Sequence, residues 1–367
     1  MRLGHSHRDR ARGASRFLGV ALAAHALPST AVAQSPAAAP IACAVPDSVR
    51  TALAGIARRV GGEMGIAAVH VESGARLSLN GDRRFPMASV SKVPMALEFL
   101  RRVDAGEIDP SDTLVVGPRD FRPGHSPLAA WSGGRPVRVT VDSLFTLMLG
   151  VSDNTATDVL LALAGGPSAA TRRVRELGVT GVEVDRSEAR TFADLVGLPD
   201  SIPESELYRY QYFRMRDALP HDYREAARER YGTDPRDTAT PNGMTTLLER
   251  IHEGAGLSDG SREWLLDVMA DSRSGRRRLK GLLPDSTVVA HKTGTMAGAI
   301  NDVGIITLPD GAGHLIVSAF VNTLRTSTRR RERTIAEAAR LLHDYFAERY
   351  RGVGYAMGWT GFGACQA

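Results

Sequence analysis

The pattern of apolar and polar positions predicts helices through the middle of the chain and strands towards both of its ends. Apolar residues spaced three and four apart predict a first helix over residues 47–60, with Asp47 as its N-cap. Short alternating runs bounded by turn residues predict strands. The further predicted helices are 90–103, 140–177 with breaks near Gly150 and near Gly165-Gly166, 240–254, 261–270 and 331–350, and the predicted strands are 65–72, 76–79, 287–290, 303–308 and 314–321.

These elements predict a mixed α/β (α+β) fold in which one antiparallel sheet is flanked by helices and an all-helical lobe lies beside it. Strands from both ends of the chain then share the sheet, so the sheet domain is discontinuous and comprises residues 46–80 and 272–352. Residues 81–271 form the helical domain. In such an architecture we expect a site in the cleft between the sheet and the helical lobe.

The first 33 residues differ from the rest of the chain. A basic region with five arginines precedes an apolar run over residues 17–27, and Ala31-Val32-Ala33 offers a small-residue cleavage site. This three-part pattern predicts a secretory signal peptide over residues 1–33, in preference to a buried N-terminal helix. The mature protein is then expected to be secreted, to a bacterial periplasm or to the exterior.

The sequence after this leader carries little net charge. Removal of residues 1–33 takes away five Arg and one Asp, so the formal charge falls from +5 to +1. A high isoelectric point is then weak evidence for a nucleic-acid partner, and we expect none. No later run reaches the roughly 18 apolar residues of a membrane span, so we expect no membrane association after cleavage. The arginine runs 276–278 and 329–331 are interpreted as solvated charges, residues 34–45 as a tether, and residues 353–367 as a C-terminal extension.

Ser89 and Lys92 form a first candidate catalytic motif at the start of a strongly apolar helix. Residues three apart share a helix face, so the lysine can lie beside the hydroxyl. A serine hydroxyl needs a base at hydrogen-bond distance to act as a nucleophile. A lysine that is desolvated and close to other cations can be neutral enough to take that proton. A single match of this kind arises by chance in a chain this long.

Two further short motifs follow along the chain. Ser152-Asp153-Asn154 lies between helical segments, where Asp153 could simply cap the next helix. His291-Lys292-Thr293-Gly294-Thr295 follows the predicted strand 287–290, and a lysine with two hydroxyls on one strand edge suits a carboxylate. The alternative interpretation of this segment is an exposed strand end, and His291 itself is interpreted as a packed strand residue.

The three motifs in this order form the signature set of class A β-lactamases and penicillin-binding proteins, and the sequence resembles that superfamily. The resemblance covers about residues 47–350 and includes the segments 279–285, 301–304 and 334–337. It implies a β-lactamase/transpeptidase-like fold. Within the superfamily the sequence is most similar to the class A serine β-lactamases, which implies hydrolysis of the amide bond of β-lactam antibiotics through a serine acyl-enzyme.

The resemblance also implies a role for each motif residue. Ser89 would be the nucleophile, Lys92 a candidate for its base, and Ser152 the group that passes a proton to the departing lactam nitrogen. The backbone N–H groups of Ser89 and Thr295 would form the oxyanion hole. No metal or organic cofactor is required. The substrate would be held by Asn154, Lys292, Thr293, Gly294 and Thr295.

Glu188 corresponds to the glutamate that holds the deacylating water in the Ω-loop of class A enzymes, and it is a second candidate base for acylation. Arg186-Ser187-Glu188 resembles the start of that loop, and residues 236–241 resemble its end. The resemblance therefore implies a structural ion pair between Arg186 and Asp237. The sequence departs from the family at Phe192, where an asparagine normally shares the water and where a phenyl ring cannot form that hydrogen bond.

The Ω-loop is enlarged by roughly three dozen residues within positions 189–236, whereas ordered loops seldom exceed about 15 residues. The segment has weak helical signals and several aromatic residues. Two interpretations stay open, a small helical cap over the cleft and a surface insertion far from the chemistry. The aromatic residues are Tyr208, Tyr210, Tyr212, Phe213 and Tyr223.

The main alternative function is that of a D,D-peptidase or penicillin-binding enzyme, which shares the three motifs but deacylates slowly. A serine hydrolase acting on other esters and a β-lactam sensor are further alternatives. No H-E-x-x-H motif or other metal-ligand spacing occurs, so no metal site is predicted. The expected partner is a small-molecule β-lactam, and the chain is expected to be a monomer.

The two cysteines of the chain, Cys43 and Cys365, lack a zinc-type spacing. In the family the first and last helices lie side by side, and these cysteines flank them, so the resemblance implies a possible disulfide between the chain ends. Closing so long a loop would stabilise the fold by about 4–5 kcal/mol in the chain-entropy model. Residues 40–42 make a poor lipidation motif, which disfavours a lipid on Cys43.

Overall fold

Nine strands occur in the computed structural model, within the part of the chain that it describes, residues 44–254 and 256–351. Five of them form the central sheet, and the other four form two small pairs. The strands are β1 (Glu63–His70), β2 (Arg76–Leu79), β3 (Phe85–Pro86), β4 (Thr113–Val116), β5 (Val137–Thr140), β6 (Thr238–Ala239), β7 (Val289–Met296), β8 (Ala299–Thr307) and β9 (His314–Asn322).

The central sheet has the strand order β2-β1-β9-β8-β7, and every neighbouring pair is antiparallel. Its centre joins β1 from the start of the chain to β9 from the end, with Ala67 opposite Ser318. This arrangement confirms the predicted antiparallel sheet built from both ends of the chain. Strand β7, which contains the Lys-Thr-Gly motif, lies at one edge.

Helices account for most of the middle of the described chain and cover the sheet on both faces. Three short 3₁₀ helices, Ala88–Ser91, Glu204–Glu206 and Leu279–Leu282, lie between them. The α-helices are α1 (Asp47–Arg58), α2 (Lys92–Asp104), α3 (Pro127–Trp131), α4 (Val141–Gly150), α5 (Asn154–Leu163), α6 (Pro167–Glu176), α7 (Glu188–Val196), α8 (Arg209–Asp217), α9 (His221–Tyr231), α10 (Pro241–His252), α11 (Asp259–Ala270) and α12 (Thr328–Arg349).

Short polar side chains start several of these helices by accepting a first-turn N–H. Asp153 accepts from the backbone of Ala156 at the start of α5, as one interpretation of the Ser-Asp-Asn motif predicted. Thr240 caps α10 in the same way. The predicted cap of α1 is wrong, because Pro46 is the N-cap and Asp47 is already the first helical residue. The Asp47 carboxylate instead lies in the first turn, where a negative charge suits the helix dipole.

Alternate residues of β9 face two separate hydrophobic clusters, because successive side chains of a strand point to opposite sheet faces. Val317 and Val321 face a cluster that includes α1 and α12. Ile316 and Phe320 face a larger cluster formed with helices α2, α4, α5, α10 and α11. Burial on both faces explains why the strand is a continuous apolar run in the sequence.

Two differences from the predicted elements bear on the site. Strand β7 continues through the Lys-Thr-Gly motif to Met296, so this motif lies within the strand and not after it. Strands β3 and β6 were not predicted, since two residues are too few to show a period. Their pairing joins Phe85 to Ala239, which ties the segment before the first motif to the segment after the Ω-loop insertion.

Several predictions concern residues outside the described part of the chain. These are the signal peptide, most of the tether, the C-terminal extension, and both Cys43 and Cys365. Val45, the last residue of the predicted tether, is 3% exposed and packs in the cluster with α1 and α12. No helix in residues 44–254 or 256–351 is both long and apolar enough to cross a membrane.

Candidate active site

Ser89 lies in the 3₁₀ helix that precedes α2, in a turn held by several backbone contacts. Asn301 donates from Nδ2 to the carbonyl oxygens of Pro86 and Met87, at 2.8 and 3.0 Å. Ala88 has a φ of +48°, a strained conformation for a residue with a side chain. The turn therefore holds Ser89 partly exposed at the cleft, in a geometry that the surrounding contacts maintain.

Gly294 allows the edge strand β7 to approach this turn closely. A Cβ atom at position 294 would lie 2.3 Å from the carbonyl oxygen of Met87 and 3.2 Å from the backbone nitrogen of Val90. Both atoms belong to the backbone, so neither could move aside without shifting the turn. The glycine of the Lys-Thr-Gly motif is therefore required by the packing of the strand against the Ser89 turn.

Lys92 is fully buried beneath this turn and contacts three different segments of the chain. Its Nζ donates to the carbonyl oxygen of Ser152 at 2.9 Å and to Oδ1 of Asn154 at 2.8 Å. Oε1 of Glu188 lies 3.2 Å away. A buried ammonium needs such partners to offset its desolvation. The lysine thus joins the first motif to the second and to the predicted Ω-loop glutamate.

The hydroxyl of Ser152 lies between two lysines. Lys292 Nζ donates to Ser152 Oγ at 2.9 Å, and Lys92 Nζ lies 3.3 Å from the same oxygen. Burial, together with the charge of Lys92, lowers the pKa of Lys292 well below its ordinary value. Ser152 itself has a φ of +63°. This arrangement favours proton transfer at Ser152. When its hydroxyl gives up a proton, the two neighbouring lysine amino groups stabilise the negative charge that develops on Oγ.

Arg278 is a site residue that the sequence analysis missed. Its run was interpreted as solvated charge, but Arg278 is 6% exposed. The guanidinium donates to Thr295 Oγ1 at 2.6 Å and to the carbonyl oxygens of Gly294 and Asn301 at 3.0 and 2.8 Å. The structure thus adds a fixed positive charge beside the hydroxyls of β7. The sequence held no signal for this role, because nothing distinguishes Arg278 from its neighbours in the run.

Glu188 begins helix α7, and Asp158 of α5 fixes that helix start. Asp158 accepts from the backbone nitrogens of Glu188 at 2.7 Å and Ala189 at 3.0 Å, and Arg122 Nε donates to the same carboxylate at 2.7 Å. Burial raises the pKa of Glu188, while Lys92 acts in the opposite direction. The Glu188 carboxyl is therefore fixed next to Lys92 and titrates above the ordinary range, which suits a general base.

Comparison with known proteins identifies the family. A family described as "Beta-lactamase enzyme family" matches residues 48–346. The extended-spectrum β-lactamase PER-1 of Pseudomonas aeruginosa is 30% identical over 73% of this chain and 78% of its own length. The solved β-lactamase structure from Chitinophaga pinensis DSM 2588 is 30% identical, covers 81% of this chain and 99% of that one, and has a TM-score of 0.66. The chain belongs to the class A serine β-lactamase family.

Membership of this family confirms the resemblance from which the site was predicted. The named relatives also include the β-lactamase VEB-1 of Pseudomonas aeruginosa, 26% identical over 82% of this chain and 91% of its own length. These relatives fit the β-lactamase interpretation and not the D,D-peptidase alternative. The mixed α/β fold is likewise the fold of the matched structures.

In this β-lactamase a network of charges centred on the buried residues Arg186 and Asp237 joins the two ends of the 189–236 insertion. Arg186 Nε donates to Asp237 Oδ2 at 2.5 Å, so the two residues of the expected ion pair are in contact. Arg186 Nη1 also contacts Asp194 at 2.8 Å and Asp234 at 3.0 Å. Arg236 contacts both of these carboxylates in turn. The start and the end of the loop are therefore held together by several charges.

The insertion of this β-lactamase folds into helices with a small core of their own. Ala193 of α7, Tyr212 of α8 and Leu207, which follows the Glu204–Glu206 3₁₀ helix, belong to that core. Arg209 of α8 donates from its backbone nitrogen to the carbonyl oxygen of Phe121 at 2.6 Å. Tyr231 at the end of α9 packs against Ala88 and Met296. Of the two open interpretations, the structure supports a packed helical element that reaches the active site.

Tyr231 was not among the aromatic residues singled out from the sequence, and it packs against Ala88 in the Ser89 turn. Its ring lies under the guanidinium of Arg186, 5.4 Å from ring centroid to Cζ, and its side chain is buried. Burial raises the pKa of its hydroxyl, so the group stays protonated. By contrast, Tyr210 is 68% exposed and Tyr223 is 45% exposed.

A small cavity lies between the Ω-loop and the Ser89 turn. Its polar or charged lining residues are Ser91, Arg186, Glu188, Thr191, Tyr231 and Asp237, and its apolar ones are Ala88, Met95 and Met296. It has room for about one water molecule. Thr191 is three residues after Glu188 on α7, so the two side chains share a helix face. The carboxyl group expected to activate water therefore shares an enclosed polar space with three hydroxyl groups.

Phe192 packs against the wall of the cleft. A Cβ atom at position 124 would lie 2.2 Å from Phe192 Cζ and 2.8 Å from Asn154 Nδ2, so Gly124 leaves the space that the ring occupies. On its other side the ring meets Tyr212 edge to face, with centroids 6.3 Å apart. Phe192 therefore links the core of the insertion to the region beside Asn154.

Proposed function

We propose that Ser89 is the nucleophile with which this β-lactamase opens the amide bond of a β-lactam, forming an acyl-enzyme that water then hydrolyses. The observation that carries this proposal is the position of Lys92, which contacts Ser152, Asn154 and Glu188 directly beneath the Ser89 turn. Lys92, or Glu188 through a water molecule, removes the proton from Ser89. The backbone N–H groups of Ser89 and Thr295 bind the developing oxyanion.

The charges beside β7 support a site for the substrate carboxylate. Lys292, Thr293 and Thr295 hold it, and Arg278 adds a guanidinium bonded to Thr295 Oγ1. Gly294 contributes through its backbone, because its lack of a side chain lets the strand reach the Ser89 turn.

Asn154 faces the substrate amide in this proposal, but most of its hydrogen-bonding capacity is already used. Its Oδ1 accepts from Lys92, and its Nδ2 donates to the carbonyl oxygen of Pro123 at 2.9 Å. The amide nitrogen has a second hydrogen for the substrate. Ser152 donates a proton to the departing nitrogen and recovers one with the help of Lys92 and Lys292.

Deacylation requires Glu188 to activate a water molecule, and Phe192 cannot share that water. We infer that the hydroxyl groups of Thr191 and Tyr231 take over this role, because both line the same cavity as the Glu188 carboxyl. A water molecule in an enclosed polar site needs two to four polar partners, and this cavity supplies them. The proposal thereby gives the enlarged Ω-loop a direct part in catalysis.

The setting of the enzyme is also a proposal. The leader at residues 1–33 indicates secretion, and the relatives are named as β-lactamases, so the substrate is a small-molecule β-lactam outside the cytoplasm. The mature protein acts as a monomer, without a cofactor or a nucleic-acid partner. It comprises the discontinuous sheet domain (46–80 and 272–352) and the helical domain (81–271) with its 189–236 insertion.

The test is nitrocefin hydrolysis by the mature protein together with intact mass spectrometry after mixing with benzylpenicillin. Ser89→Ala is expected to abolish turnover and adduct formation with the fold intact. Glu188→Gln is expected to form the adduct and retain it, because acylation proceeds while the water is no longer activated. Rapid turnover by Glu188→Gln would show that another residue activates the water. A stable adduct on the unmodified protein without turnover would instead support a penicillin-binding enzyme.

A further inference from the structure

The two arginine runs of the sequence meet at one groove on the surface. Arg277 comes from the segment before the Leu279–Leu282 3₁₀ helix, and Arg329, Arg330 and Arg333 come from the first two turns of α12. We call these four residues the arginine groove. Gly281, Ser327 and Ala336 complete its lining, and its volume is about 500 Å³. Two runs about 50 positions apart in the chain thus form a single concave basic surface.

The arginine groove has more guanidinium groups than carboxylates that could pair with them. No acidic residue belongs to its lining. Arg333 contacts Glu337 at 2.9 Å, but the same carboxylate also contacts Arg59 at 2.6 Å. Among residues 44–254 and 256–351, no carboxylate lies within ion-pair distance of Arg277 or Arg329, and both are exposed. Two guanidinium groups are therefore free to bind an anion.

Arg331 follows Arg330 in α12 and adds a buried positive charge to the same helix turn. Arg331 is 7% exposed and donates to the carbonyl oxygens of Gly298 and Thr323, at 2.7 and 2.9 Å. Burial and the nearby charge of Arg278 lower the pKa of Arg331. Glu332 is the nearby carboxylate, and it contacts Arg278 at 3.3 Å. An anion in the groove would thus meet a surface whose local charge is strongly positive.

We propose that the arginine groove binds an anion that carries two or more phosphate groups. A guanidinium group offers paired N–H donors that match phosphate oxygens, and it is more weakly hydrated than an ammonium group. The volume exceeds what one phosphate occupies, and the guanidinium groups lie on both sides of it. The same chemistry is presented by soluble oligophosphates and by the clustered phosphate headgroups of an anionic membrane surface.

The first experiment measures binding of inorganic tripolyphosphate to the purified protein by calorimetry at low salt. The groove variant is Arg277→Gln with Arg329→Gln, which removes the two unpaired guanidinium groups. The matched control is Arg135→Gln with Arg138→Gln, which removes two exposed arginines at and before β5 and changes the net charge equally. We expect the groove variant to lose about tenfold or more in affinity and the control to change by less than about twofold.

A second arm distinguishes the two sources of phosphate. Vesicles of phosphatidylglycerol in phosphatidylcholine, and of phosphatidylcholine alone, are sedimented with each protein. If the unmodified protein binds the anionic vesicles selectively and the groove variant does not, the phosphate belongs to a membrane surface. If the groove variant loses only its binding of tripolyphosphate, the phosphate belongs to a soluble anion. The proposal is overturned if neither probe shows saturable binding, or if both double variants lose affinity equally. Unchanged nitrocefin hydrolysis in each variant shows that the fold is intact.

Discussion

Two buried side chains of the active site titrate away from their ordinary ranges in opposite directions. Burial raises the pKa of Glu188 above 4.5 and lowers the pKa of Lys292 well below 10.5. Glu188 must lose its proton before it can accept one from water, and Lys292 must keep its proton to attract a carboxylate. Full activity is therefore confined to a narrower pH range than an ordinary carboxyl and amine would give.

A bell-shaped pH profile of kcat/KM is expected from these two groups. Activity is lost as the pH falls through the pKa of Glu188 and is lost again as the pH rises through the pKa of Lys292. Lys292→Arg replaces the titrating amine with a guanidinium that stays charged, so its alkaline limb moves to higher pH while its acid limb stays. Initial rates of nitrocefin hydrolysis, each scaled to its own maximum, measure both limbs. An alkaline limb that does not move would belong to another group.

Thr191 provides a test of how the water is held without an asparagine at position 192. Thr191→Val keeps the shape of the side chain but removes its hydroxyl, so deacylation should slow by about tenfold, the effect of one lost hydrogen bond, while acylation is unchanged. Thr191→Ser keeps the hydroxyl and is the control. Rapid-quench mass spectrometry with benzylpenicillin separates the two rates. Equal deacylation rates in both variants would remove Thr191 from the water site.

At the scale of single residues, the sequence predicted those that belong to short motifs. Ser89, Lys92, Ser152 and Lys292 could be proposed because each belongs to a motif of a few consecutive positions, and the fold brings these motifs together. Arg278 and Asp158 act through contacts with segments remote in the chain, such as the bond from Arg278 to Thr295 and the bond from Asp158 to the start of α7. Nothing in the local sequence identifies such partners, so they required the folded chain.

The last helix of the insertion, α9, places one tyrosine, Tyr231, at the site and its other tyrosine, Tyr223, at the surface. Tyr231→Ala would remove a buried ring from beneath Ala88 and Arg186. We expect it to lower the free energy of unfolding by about 2–4 kcal/mol, in the range measured for large buried side chains, and to reduce turnover. Urea unfolding and nitrocefin hydrolysis measure the two effects.

Tyr223→Ala is the matched control for this test, because it removes the same side chain from the same helix at a position that is 45% exposed. Its hydroxyl donates to the carbonyl oxygen of Gly197 at 3.0 Å, within the insertion. We expect a smaller loss of stability and unchanged turnover. If the two variants lose stability and turnover to the same extent, the insertion contributes to stability as a whole and Tyr231 has no particular influence on the Ser89 turn.

At the scale of elements, most long periodic segments were predictable, and so was the short strand β2. The helices α1, α2 and α12 and the strand β9 follow the apolar pattern closely. The pairs β3 with β6 and β4 with β5 were not predicted, and two residues, the length of β3 and of β6, are too few to show a period. The end of β7 was misplaced because its polar motif interrupts the apolar run, although all of those residues still pair with β8.

At the scale of the whole molecule, the ends of the described chain come together on one face of the sheet. Helices α1 and α12 share a hydrophobic cluster, and Arg59 contacts Glu337 at 2.6 Å. The apolar pattern predicted that strands from both ends of the chain share one sheet, and the resemblance to class A β-lactamases implied that the first and last helices lie side by side. The domain boundaries at residues 80, 271 and 272 remain predictions, and so does the pairing of Cys43 with Cys365, which lies outside the described residues.

The disulfide prediction is tested on the whole protein. Intact mass spectrometry after alkylation under denaturing, non-reducing conditions should show two unmodified cysteines. The Cys43→Ser variant and the reduced unmodified protein both lack the cross-link. Relative to the oxidised protein, each should lose up to about 4–5 kcal/mol of unfolding free energy. Two alkylated thiols in the secreted, unreduced protein would rule the pairing out.

The adjacent ends of the Ω-loop insertion have an evolutionary consequence. Asp185 and Asp237 exchange hydrogen bonds between their side chains and backbones, at 2.8 Å in both directions, so the segment leaves and rejoins the fold at one point. Lengthening a loop whose ends are already joined adds little entropic cost. Such a segment can be gained, shortened or exchanged as a module while the sheet and its catalytic strand stay unchanged. Natural variation in this enzyme would then concentrate in a part of the chain that still contacts the Ser89 turn.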